Sequence, residues 1–223
     1  AAGRAPNVEN LGLEAAGVRF DRAGVKTRRG LRTSNRRVYA VGDVAGGAQF
    51  THAANHHAAL ALKQILFRAP ARLRPEIVPR VTFTDPEIAW VGVSEEEARA
   101  SNRRVRILRW SFADNDRAEA ERATTGHVKA IVARDGRILG CGIVGRSAGE
   151  LIAPWALAVA KGLLAQDIAN AVLPYPTLSE ASRRAARCRR RRRRGGDRWG
   201  SRRCHRRAHR GGSARRRASA RSR

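Results

Sequence analysis

Methionine is absent from this chain of 223 residues, which opens Ala-Ala-Gly-Arg, so it is expected to be part of a longer product. Cysteine is scarce. Cys141, Cys188 and Cys204 show no spacing that fits a disulfide framework or a zinc site, which points to a reducing, cytoplasmic setting. There is no secretory-type opening segment. No run is apolar for long enough to cross a bilayer. The nearest, residues 151–165, is short and contains Lys161, so no membrane partner is expected. A strand-to-helix phosphate loop of the form G-x-G-x-x-G is not read anywhere in the chain.

Positive charge, by contrast, is abundant. The formal net charge is +27, and it is concentrated at the end: residues 187–223 hold 18 Arg and a single Asp. This tail has almost no aliphatic residues beyond Ala and no periodicity, so it is expected to be disordered. Two origins are open. A real basic tail would bind nucleic acid through phosphates without sequence preference, and the protein would then be a non-enzymatic binder. Alternatively, the Arg-Ala-Gly-Ser composition is what a GC-rich gene yields when read out of frame. Cys188, Cys204, His205 and His209 match no common metal finger.

The informative stretch of the body is Thr33-Ser34-Asn35-Arg36-Arg37-Val38-Tyr39-Ala40-Val41-Gly42-Asp43, followed by a Gly-rich loop and an Ala-rich helix. Residues 38–41 read as a short buried strand, and Gly42 as the residue that lets the backbone turn tightly. Asp43 then offers a carboxylate at a strand end, suited to a sugar or ribityl hydroxyl, or else a simple helix cap. Residues 49–67 are helical by composition, with Thr51 as N-cap. His52 and His56 are spaced i, i+4, but no third metal ligand stands at a telling distance.

Past a Pro- and Arg-rich linker at 71–77 the pattern changes. Strands are expected at 81–84, 88–93 and 105–112, and a hairpin joins 126–133 to 137–144 about Asp135-Gly136. Capping boxes are expected at Ser94/Glu97 and Ser147/Glu150, the second opening an apolar helix that runs to Leu164. Asp167 is a candidate cap for a shorter helix ending near Val172. Strands and helices in this order indicate an α+β domain with an antiparallel sheet. Cys141 lies in an apolar strand and reads as a buried hydrophobe.

The T-S-x3-V-Y-A-V-G-D stretch resembles the second FAD motif of the pyridine nucleotide–disulfide oxidoreductases, a family that includes dihydrolipoamide dehydrogenase and mercuric reductase. The resemblance covers residues 3–186. It implies an α/β remnant of the NAD/FAD-binding region over 1–70 and an interface (dimerisation) domain over 78–186, through which a homodimer forms. It implies FAD as cofactor, contacted by Gly42, Asp43 and the helix start at Thr51, His52 and Ala53. It also implies NAD(P)H as donor in the intact enzyme and a small-molecule, disulfide or metal-ion substrate. The redox C-x4-C pair of the family is absent, so independent turnover is not expected of these residues.

In the same family a His precedes the Pro-Thr of the last motif and a later Glu orients it. Here the motif reads Leu173-Pro174-Tyr175-Pro176-Thr177-Leu178-Ser179-Glu180. The resemblance thus places Tyr175 and Glu180 as the candidate catalytic residues. A phenol is a poor proton shuttle at neutral pH compared with imidazole. Mercuric reductases carry Tyr at this place, so the sequence leans towards them. The bland alternatives are that Tyr175 packs with its flanking prolines and that Thr177/Glu180 is a capping box.

Overall fold

The computed structural model describes residues 3–101 and 104–188. The expectations for the Arg-rich tail beyond Cys188, including nucleic-acid binding and the Cys204, His205 and His209 set, lie outside the described residues. The chain divides into two compact units, Ala1–Arg80 and Val81–Arg223.

In the first unit a small hairpin pairs β1 (Phe20–Asp21) with β2 (Gly24–Val25). Asp21 makes the turn, its Oδ1 accepting from the Ala23 N–H at 2.9 Å. Val18, Val25 and Ala40 form the local core, flanked by Leu13, Phe20, Val38 and Val44. The strand expected at 38–41 is a single bridge, Arg32 to Tyr39. Polar contacts hold this loop more than a ladder does. The Thr33 N–H donates to the Val38 carbonyl and the Ala40 N–H to Leu31, and Val41 is exposed. Residues Gly42–Ala45 then make a turn of 3-10 helix before α1 (Thr51–Phe67). Thr51 is the first residue of α1 and not its cap. Phe50 occupies the cap position, and no side chain accepts from the first turn.

The second unit is a five-stranded sheet in the order β3-β4-β7-β6-β5. Its strands are β3 (Arg80–Thr82), β4 (Ile88–Gly92), β5 (Val105–Ser111), β6 (His127–Ala133) and β7 (Ile138–Val144). The pairs β4–β7, β7–β6 and β6–β5 are antiparallel. Two rows of paired side chains run across one face: Ala89, Ile143, Val128 and Trp110, then Val91, Cys141, Ala130 and Leu108. Period-2 alternation buries these apolar groups together. Helices α2 (Glu95–Ala100), α3 (Asp116–Ala120), α4 (Ala148–Leu151), α5 (Ala153–Lys161), α6 (Ala165–Asn170) and α7 (Glu180–Arg187) complete the unit. Of these, α5 packs on β4 and β7, and α7 on β5 and β6.

Residues 140–145 spell Gly-Cys-Gly-Ile-Val-Gly, which corrects the expected absence of a G-x-G-x-x-G pattern. The stretch is no phosphate loop, since it runs along and just past an antiparallel strand. Its glycines answer to packing. A Cβ on Gly142 would lie 2.5 Å from the Trp90 ring, and one on Gly145 would lie 2.4 Å from the Phe112 ring.

The capping box at Ser94 is formed. Its Oγ accepts from the Glu97 N–H at 3.0 Å, and Glu97 Oε2 accepts from the Ser94 N–H at 2.6 Å. The expected box at Ser147 is not. Ser147 sits at φ 56° with no capping bond, and the carboxylate of distant Glu87 accepts from the Gly149 N–H at 2.9 Å instead. The apolar helix is also shorter than expected. It breaks at Ile152, one residue short of the Ala153–Pro154 start of α5, and ends at left-handed Gly162. Pro154 has no N–H to give to the preceding turn. Asp167 acts one turn inside α6, its Oδ2 accepting from the Leu164 N–H at 2.7 Å.

Trp155 is fully buried, and its indole N–H donates to Ser182 Oγ at 2.9 Å, tying α5 to α7. Trp155→Ala is expected to cost about 3–5 kcal/mol. Ser182→Ala, which strands the indole N–H, should cost about 1–3 kcal/mol. Urea unfolding followed by circular dichroism checks both, and equal losses for the two variants would contradict this account.

Candidate functional site

The Gly42–Asp43 turn is pinned from below. Gly42 adopts φ +71°, and a Cβ there would approach Ala54 Cβ to 3.1 Å, so the turn lies close against α1 and only glycine sits there without strain. The Gly42 N–H donates to Nδ1 of His57, a buried imidazole on α1, at 3.2 Å. An accepting Nδ1 carries no proton, so His57 is neutral with its proton on Nε2. Burial and the neighbouring His56 hold its pKa below the ordinary histidine value. Sequence reading singled out His52 and His56 and missed His57. Its only signal would have been its place one turn beyond the buried Ala53 on the same face of α1.

Asp43 itself is half-exposed. Among the described residues its one charged partner is Arg4, 3.8 Å away with most of its side chain in solvent. Such a pair is worth little and is displaced at little cost. Thr51 and His52 are exposed and Ala53 is buried at the start of α1, whose first turn contains no acid. No carboxylate of that turn competes for its first N–H groups or for the positive end of the helix dipole. His52 stacks on Phe50, with ring centroids 5.2 Å apart, and donates from Nε2 to the Pro79 carbonyl at 2.8 Å. Among the described residues no group of three His, Cys, Asp or Glu could hold a metal.

In the second unit Tyr175 is exposed, and its hydroxyl donates to Asp116 Oδ2 at 2.5 Å. That bond is the first cause of an upward shift in the phenol pKa. The charges of Asp116 and Glu180 add to the shift, and Arg184 opposes it. Glu180 is buried, and its Oε1 accepts from Arg183 at 3.2 Å and from Arg184 Nε at 3.0 Å. The Thr177/Glu180 capping box is not made. Thr177 Oγ1 donates to the Pro174 carbonyl, and Ser179 is the cap residue. Cys141 is fully buried, and burial pushes its thiol far from ionisation, as expected of a packing residue.

Known proteins resemble this chain in sequence and fold. The pyridine nucleotide-disulphide oxidoreductase dimerisation domain matches residues 78–186, and the pyridine nucleotide-disulphide oxidoreductase domain matches residues 1–58. The chain belongs to the pyridine nucleotide-disulphide oxidoreductases. Within this family, it is 36% identical to dihydrolipoyl dehydrogenase of Buchnera aphidicola over 81% of its own length and 38% of the relative's. It is 38% identical to mercuric reductase of Staphylococcus aureus, over 83% and 34% of the two lengths. Among solved structures, LpdA of Mycobacterium tuberculosis superposes with a TM-score of 0.77 at 31% identity, covering 82% of this chain and 40% of that one. The HOCl-induced flavoprotein disulfide reductase RclA of Escherichia coli gives 0.76 at 27% identity, covering 83% and 43%. The chain thus spans about two fifths of the curated relatives' length.

The His57 bond should make the first unit sensitive to acid. Its folded pKa is depressed, so its contribution is complete above the unfolded value of about 6.5 and is lost as pH falls through the folded one. Unfolding free energy of the first unit should decline as pH drops below about 6.5, and His57→Asn, which keeps an acceptor but cannot titrate, should flatten that decline. Denaturant titrations between neutral and mildly acid pH check this. An identical slope in the variant would count against it.

Proposed function

We propose that these residues are the carboxyl portion of an FAD-dependent NAD(P)H oxidoreductase acting on a disulfide or metal-ion substrate. Residues 1–70 belong to the flavin- and nucleotide-binding region, 71–77 link, and 78–186 pair two subunits as a homodimer. The observation that carries the reading is the Gly42–Asp43 turn, held rigid over α1 with its carboxylate open to a ligand. A turn that cannot accept a Cβ, a weakly paired acidic acceptor and an acid-free helix start fit the ribityl and ring-carbonyl edge of FAD. Gly42 sets the turn, Asp43 accepts from a hydroxyl, and the backbone at Thr51, His52 and Ala53 offers donors. Bound FAD supplies the two-electron relay between NAD(P)H and the substrate.

In the second unit Tyr175 stands where the resemblance puts the residue offered to the other subunit's redox centre. It meets an incoming group as a neutral phenol, because its hydroxyl bond to Asp116 favours the protonated form. It therefore receives a hydrogen bond and does not act as a base near neutrality. This favours a substrate that needs no proton shuttle at this point over a dithiol that does.

The reading is tested by joining residues 1–188 to the upstream portion of a matched dihydrolipoyl dehydrogenase and measuring flavin retained per chain. The chimera should bind FAD, and Asp43→Ala should weaken it about 10- to 100-fold, the effect of losing a hydrogen bond to a charged group. Unchanged affinity in the variant would remove Asp43 from the site.

A further inference from the structure

We propose that Asp116, and not Glu180, is the positioning residue for Tyr175. The proposal rests on the reading of Tyr175 as the group offered to a second subunit. The resemblance to the family gives the orienting role to the Glu at position 180. In this chain that carboxylate is turned to its own helix, where its Oε1 accepts from Arg183 and Arg184. The Tyr175 hydroxyl goes elsewhere, to Asp116 Oδ2 on α3, across 59 positions of sequence.

The backbone is built to keep that pair together. Asn115, next to Asp116, is buried. Its Oδ1 accepts from the Ala118 N–H at 2.9 Å and starts α3, while its Nδ2 donates to the Thr177 carbonyl at 3.2 Å. Thr177 Oγ1 in turn braces Pro174 at 2.8 Å. One side chain thus clamps the loop that carries Tyr175 to the helix start that carries Asp116. Without that clamp, an exposed Tyr–Asp contact would have to hold two mobile side chains by itself, and such contacts are weak in water.

The chemical consequence is directional. The phenol proton is committed to Asp116, and the oxygen keeps lone pairs for a proton-bearing group that approaches from outside, such as a thiol. The charged groups acting on the phenol are Asp116, Glu180 and Arg184. Asp116 supplies both a hydrogen bond and a charge, whereas Glu180 acts through space only.

The chain has two tyrosines, which makes the test direct. The full chain is labelled with 13C at tyrosine Cζ, and the two signals are followed against pH. Tyr39→Phe identifies the Tyr39 signal. In the unaltered protein Tyr175 should titrate above the ordinary phenol value of about 10. Asp116→Asn should bring it back towards that value, and Glu180→Gln should move it less. A Tyr175 midpoint at or below about 10 in the unaltered chain overturns the proposal, and needs no variant to fold. So does a larger drop in Glu180→Gln than in Asp116→Asn. Sedimentation of the same samples separates the two ideas. A chain that stays monomeric at every concentration removes the second-subunit reading, while the assignment of Asp116 is decided by the titration alone.

Discussion

The close approach of β4 and β7 is the constraint on which the second unit depends. Where Gly142 faces Trp90 there is no room for a methyl group, so the indole lies directly over the strand. Gly142 has Lys129 as its other neighbour, and Lys129 in turn pairs with Arg109, so the outer face is a row of Trp, Gly, Lys and Arg. Glu95 of α2 reaches that row, with Lys129 at 2.7 Å and Arg109 at 3.1 Å. On the inner face the same strand buries Cys141 and Ile143, and α5 packs on it. The sheet is therefore apolar inside and salt-bridged outside. The start of α7, and with it the loop bearing Tyr175, is placed by packing on β5 and β6.

Much of this was legible from the chain. The Asp135-Gly136 turn with its hairpin strands, expected at 126–133 and 137–144, and the Ser94 box are local signals, and each formed within a residue or two of its expected place. What failed was long-range. Ser147 looked like a cap because a Glu follows three residues on, yet the acid that accepts from the Gly149 N–H is Glu87, 62 positions before it. A capping box is a pattern of neighbours, and tertiary contact can replace it with a partner that no window contains. The glycines at 140–145 show the converse. The spacing of a phosphate loop arose there from three separate steric demands along one strand.

The candidate site divides the same way. Gly42 and Asp43 were visible as a turn with a carboxylate, and Tyr175 as a departure from an expected His. Their supports were not. His57 lies 15 positions from Gly42 and Asp116 lies 59 from Tyr175, with nothing in either stretch to announce the pairing. Sequence shows which chemistry is offered, but the hydrogen-bond partner that fixes its protonation state belongs to the fold.

Those partners also set where acid acts first. Glu95 is held down to about pKa 2, chiefly by hydrogen bonds from Lys129 and Arg99 against a smaller desolvation cost. A depressed carboxylate contributes fully above its unfolded value of 4.5 and loses its contribution only as pH falls towards 2. His57 works in a different window, because its bond to Gly42 begins to weaken relative to the unfolded chain once pH drops below about 6.5. Between these windows the sheet's outer salt bridges are intact while the turn beneath Asp43 has already lost stability. Mild acid should therefore act on the Gly42–Asp43 turn through His57, and on β6 through His127, whose pKa burial also lowers, before it reaches the Glu95 salt bridges. The order follows from the chemistry of the groups: imidazoles that must stay neutral give way in mild acid, and a carboxylate that must stay charged gives way only in stronger acid.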